Sequence, residues 1–138
     1  MTQLLLLLVA LPVVCYHWAA QNKPDLKWRL TGISYGLVIA PISLAMLRYT
    51  HVPLVGKLIG FIGLVLNLIH GSLGYFLVVG VGLQDPGIAL TASELSAINI
   101  TNGLIWGVYY GLTGHNLDVK WAAGAAVPQD YKTRRIVG

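Results

Sequence analysis

PLVGKLIGFIGLVLNLIHGSLGYFLVVGVGL, residues 53–83, decides the fold class. The run is almost wholly apolar, yet Gly56, Gly60, Gly63, Asn67, His70 and Gly74 recur at spacings of 4, 3, 4, 3 and 4, which puts them on one narrow side of a helix. Leu, Ile, Val and Phe on the remaining sides suit lipid. The Asn67 amide and the His70 imidazole do not, and in hydrocarbon they need a protein or cofactor neighbour. A helix divided in this way belongs in a membrane bundle.

Similar runs lie to either side. Residues 2–20 form a Leu-rich first helix that ends in Tyr16-His17-Trp18, where aromatic residues mark a membrane interface. The segment lacks a basic start and a small-x-small cleavage site, so it is expected to be retained and not removed as a signal peptide. After a polar connection over 21–29, a second helix is expected over 30–49, with Pro41 inside it. Gln84-Asp85-Pro86-Gly87 signals a turn, and Thr91-Ala92-Ser93-Glu94 has the spacing of a capping box opening a helix over 92–114. Residues 115–138 are too polar and interrupted to cross again and form a basic tail. The sequence thus predicts one all-α integral membrane domain, a bundle of four transmembrane helices in a bacterial inner membrane or an organellar membrane.

Composition agrees with this class. Charged residues make up 10% of the 138, against about 25% in soluble proteins. The net charge of +4 comes from Lys and Arg set between the apolar runs and in the tail. That pattern fits anionic lipid headgroups, met above all by Lys132, Arg134 and Arg135, and does not fit nucleic acid. The single Cys15 excludes an internal disulfide. With four alternating crossings, six basic residues share a side with both termini and three lie opposite, so both termini are expected on the cytoplasmic side.

Two faces of the 92–114 helix are unsuited to lipid. Ser96, Asn99, Gly103, Gly107, Gly111 and Gly114 form a small face that matches the glycine stripe of 53–83. If these two helices run antiparallel, Gly103 comes level with the middle of the earlier one and Asn99 comes within reach of His70. The helix-packing set is therefore Gly60, Gly63, Asn67, Gly74, Asn99, Gly103, Gly107 and Gly111. Asn102, Trp106, Tyr109 and Thr113, spaced 4, 3 and 4, form a second face, assigned to a partner subunit or a buried ligand.

His70 is the candidate cofactor residue, because an imidazole inside a membrane helix is a usual axial ligand of a tetrapyrrole metal. Its competing role is an interhelical hydrogen bond, with bound lipid as the only other ligand. No catalytic residue and no metal cluster is assigned: paired carboxylates, HExxH and GxSxG are absent. The expected function is that of a small non-catalytic accessory subunit packed against other integral membrane subunits of a larger complex. Haem or pigment binding through His70 is the alternative, and a small transporter or membrane enzyme ranks third.

Overall fold

The computed structural model describes residues 2–80 and 90–125, and every regular element among them is helical. Helix α1 covers Thr2–Asn22. A 3-10 turn at Pro24–Leu26 leads into α2, Lys27–Leu47, and a second 3-10 turn, Arg48–His51, follows. Then come α3, Val55–His70, α4, Ser72–Gly80, and α5, Ala92–Ala125. The expected turn at Gln84–Gly87 and the basic end of the tail lie outside the described residues.

Helix α2 is the centre, with α1, α3 and α5 all packed on it. Its glycines explain the closest approach. A Cβ on Gly32 would strike the Tyr110 carbonyl, and one on Gly36 would strike the backbone of Trp106 and Gly107, so α2 and α5 touch backbone to backbone. Pro41 has no N–H to offer the Leu37 carbonyl one turn earlier. Gly103 covers that carbonyl, with its Cβ position 3.2 Å from the oxygen. The contacts Gly103 with Leu37, Gly107 with Ile33 and Gly114 with Trp28 run in opposite order along the two chains, so α2 and α5 are antiparallel.

Helix α3 is also antiparallel to α2. Gly56 meets Tyr49 and Val52, Gly60 meets Thr50, and Gly63 meets Met46 and Ser43. It follows that α3 and α5 run in the same direction, both starting where α2 ends. This corrects the expected antiparallel pairing. The glycine face of α5 covers α2 and not α3, and the α3 stripe lies mainly on the later half of α2. With α1 folded back on α2 as a hairpin, the described chain starts at one end of the bundle and finishes at the other.

Two other boundaries differ from expectation. The 53–83 run is not one rod, because α3 stops at His70 and α4 departs at 48°. Helix α4 then packs on the first half of α5, with Gly71 beside Asn102, and Gly74 beside Asn102 and Ile98. Helix α5 does not stop at Gly114. It reaches Ala125, 34 residues or about 51 Å at 1.5 Å per residue. Among the described residues, one helical run, 24–51, is long and apolar enough to cross a membrane, and α3 with α4 reaches that standard together across its bend.

The capping box forms as the spacing predicts. The Glu94 amide donates to Thr91 Oγ1 at 3.3 Å, and the Thr91 hydroxyl and amide each donate to Glu94 Oε2 at 2.7 Å. Those two donors hold the Glu94 pKa below the usual carboxylate range. A pKa lowered by folding means that the cap stabilises above the unfolded-state value and is lost as pH falls through the folded one. Amide exchange in the first turn of α5 should therefore speed up, relative to its intrinsic rate, on acidification through that window. Glu94→Gln should remove this pH dependence.

Candidate functional site

The break between α3 and α4 frees backbone polar groups in an apolar setting, and α5 supplies partners for them. Asn102 is fully buried. Its Nδ2 donates to the Gly71 carbonyl at 2.9 Å, and its Oδ1 accepts the Gly74 amide at 2.6 Å. One turn on, Trp106 Nε1 donates to the His70 carbonyl at 3.0 Å. One turn further, the Tyr110 hydroxyl lies 2.8 Å from His70 Nε2. Asn102, Trp106 and Tyr110 are four residues apart and form one continuous clamp along α5.

The histidine is 4% exposed and both ring nitrogens are engaged. Nδ1 lies 3.0 Å from the Leu66 carbonyl, which can only accept, so Nδ1 carries the proton. Nε2 is then the acceptor and the Tyr110 hydroxyl the donor. The Trp106 ring packs 4.6 Å from the imidazole, centroid to centroid, and the Tyr35 ring stands edge-on to Tyr110 at 5.0 Å. A metal at Nε2 would have to displace the Tyr110 hydroxyl.

The other residues singled out from sequence fall as follows. Gly56, Gly60, Gly63 and Gly74 are buried with His70 on the packed side of α3 and α4. Asn67 lies 3.2 Å from the hydroxyl of fully buried Ser43, which itself donates to the Ala40 carbonyl at 2.7 Å. Asn99 is not the partner of His70; it lines a cleft of about 270 Å³ together with Asn67, Gly71, Ser72, Tyr75 and Asn102. Gly103, Gly107 and Gly111 face α2. The face assigned to a partner divides: Asn102 and Trp106 turn inward onto the break, while Tyr109 and Thr113 are exposed and Thr113 bonds back to the Tyr109 carbonyl.

A second polar group closes the other end of the α2–α5 contact. Buried Asp118 accepts the backbone amides of Trp28 and Arg29 at 3.0 and 2.9 Å, capping the first turn of α2 from ninety residues away. The Arg29 guanidinium bonds His115 Nδ1. Tyr16, Trp28, Lys27 and Trp121 gather around the same end. The helix expected from sequence ends at Gly114, short of this group, although 107, 111, 114 and 118 continue one helical stripe at spacings of 4, 3 and 4. The Gly32-x-x-x-Gly36 pair, too, is a contact outside the sequence-predicted packing set. Removing the cap with Asp118→Ala should cost about 1–2 kcal/mol, measured as a lowered thermal midpoint in detergent, whereas Asp118→Asn should retain part of it.

Neither a known protein family, nor a curated protein, nor a solved structure matches this chain.

Proposed function

We propose that the chain is an integral membrane protein that crosses fully with α1, α2 and α5, that α3 and α4 enter as a broken pair with the chain back on the entry side where α5 starts, and that it acts as a non-catalytic accessory subunit of a larger membrane assembly. The large apolar side chains left on the outside, with polar groups held inside, carry this proposal. Ser34, Ser43, His70, Asn102 and Asp118 are inside. Leu6, Leu7, Val13 and Val14 of α1 and Leu58, Phe61, Leu64 and Leu68 of α3 are exposed. Water would penalise that exchange, and hydrocarbon favours it.

Charge supports the same placement. The helix directions put Lys23, Lys27, Arg29 and Lys120 at one end, followed in sequence by Lys132, Arg134 and Arg135, and leave Arg48 and Lys57 at the other. Seven against two gives a clearer cytoplasmic side than the six against three of four alternating crossings. The accessory role is supported by where the polar groups point. His70, Asn102 and Trp106 are committed to the helix break, and the surface left for neighbours is apolar. A cofactor at His70 would compete with the Tyr110 bond.

The test is topological. In a Cys15→Ser background, Thr2→Cys and His51→Cys should react with a membrane-impermeant thiol reagent from outside intact cells. Gln21→Cys and Lys120→Cys should react after lysis alone. Labelling of Thr2→Cys and Lys120→Cys from the same side would restore four alternating crossings and overturn the proposal. For the accessory role, mild detergent extracts of native membranes should carry the 14.9 kDa chain in a particle several times its mass.

A further inference from the structure

We infer that the cleft between α2 and α5 holds one anionic phospholipid of the cytoplasmic leaflet, with its phosphate at Arg29 and an acyl chain laid along the glycines of α5. This rests on the membrane placement proposed above. The cleft is about 420 Å³. Gly103, Gly107 and Gly111 form its floor, Ile33 and Leu37 of α2 one wall, and Leu104, Val108 and Leu112 of α5 the other. Polar groups enter at one end only, where Arg29 and His115 stand.

Charge complementarity identifies the headgroup. Asp118, the carboxylate beside this end, is committed to the amides of Trp28 and Arg29. The Arg29 guanidinium bonds a histidine nitrogen, its Nε is buried without a partner, and it forms no ion pair among the described residues. A half-buried guanidinium with an unmatched charge suits a phosphate, which it can grip through two parallel N–H donors. Length identifies the tail. From His115 to Gly103 the helix rises about 18 Å, close to the half-thickness of about 15 Å that one acyl chain fills. The cationic end is also the end that the basic residues place on the cytoplasmic side, where anionic lipids concentrate. Tyr16, Trp28 and Trp121 at that end supply the aromatic belt of an interface.

The full chain, purified in detergent micelles carrying equal phosphatidylglycerol and phosphatidylcholine, should retain one phosphatidylglycerol in native mass spectrometry. Arg29→Gln should lower that preference about fivefold, the worth of one charge at an anionic surface. Val108 is exposed on the cleft wall, so Val108→Trp can fill the cleft without entering the α2–α5 contact. It should abolish retention of both lipids with helicity unchanged. Equal retention of the two lipids by the unmodified chain, or a preference that survives Arg29→Gln, would overturn the site. So would a dimer abolished by Val108→Trp, which would make a second copy the occupant. Extraction of the chain from vesicles by alkaline carbonate would instead overturn the membrane placement, so the two failures are distinguishable.

Discussion

Gly36→Val should prevent the bundle from forming, while Gly103→Ala should be nearly silent. Both glycines lie on the α2–α5 contact, yet they differ in what a new Cβ meets. At Gly36 it meets the backbone of Trp106 and Gly107, which cannot rotate away, and the branched Val side chain adds bulk to that clash. The helices must separate, and separation also breaks the Gly32 approach to Tyr110 and the Asp118 cap on α2. Overpacking costs about 1–3 kcal/mol where side chains can yield, and here none can, so the loss should exceed about 3 kcal/mol. At Gly103 the added Cβ would lie 3.2 Å from the Leu37 carbonyl and 3.5 Å from its Cα, a shift of a few tenths of an ångström. Thermal unfolding in detergent, with size exclusion to detect aggregated chain, should rank the variants in that order. Equal stability of the two would mean that α2 and α5 do not cross at Gly36.

The glycines of α5 from Gly103 to Gly114 could be read as one close-packing stripe, because 3.6-residue periodicity reports faces directly, whereas the polar face divides between the inward Asn102 and Trp106 and the exposed Tyr109 and Thr113. Which neighbour each face meets could not be read. Gly103 and Asn102 are adjacent in sequence and about 100° apart on the helix, so periodicity separates them without saying that α2 lies on one side and the α3–α4 break on the other. The break itself left almost no trace in the sequence. Ile69-His70-Gly71-Ser72 is flanked by apolar turns on both sides, and a lone glycine is tolerated inside a membrane helix. The partner of the Gly71 carbonyl at the break is Asn102, thirty-one residues further on, and no local propensity encodes that. The capping box at Thr91 and Glu94 could be read because both partners lie within one turn. Direction was lost for a related reason: strict alternation of helix directions was expected, and α3 and α5 run the same way.

Asn102→Leu should release α4 from α5 at a cost of about 2–4 kcal/mol, because it strands two backbone groups and not one. The Gly71 carbonyl loses the Nδ2 donor, and the Gly74 amide loses the Oδ1 acceptor. Leu branches at Cγ with as many side-chain heavy atoms as Asn, so the substitution leaves no void and the penalty is chiefly that of unpaired polar groups in an apolar interior. Gly74 leaves no slack, since its Cβ position lies 2.6 Å from the Ile98 carbonyl and 2.7 Å from the Asn102 side chain; the bulkier Leu methyl groups add strain at the same point. Asn102→Asp offers a control. It keeps the acceptor for Gly74 but turns a carboxylate oxygen onto the Gly71 carbonyl in an apolar interior, so it should cost at least as much as Leu. The His70–Tyr110 bond is anchored from α3 and should persist in both variants, which confines the change to α4. Amide exchange reads this directly: protection of Gly74 and Val78 should collapse in Asn102→Leu while protection in α2 stays near its original level. Retained protection at Gly74 would mean that the break is held by the α3–α4 backbone itself and that Asn102 only fills space.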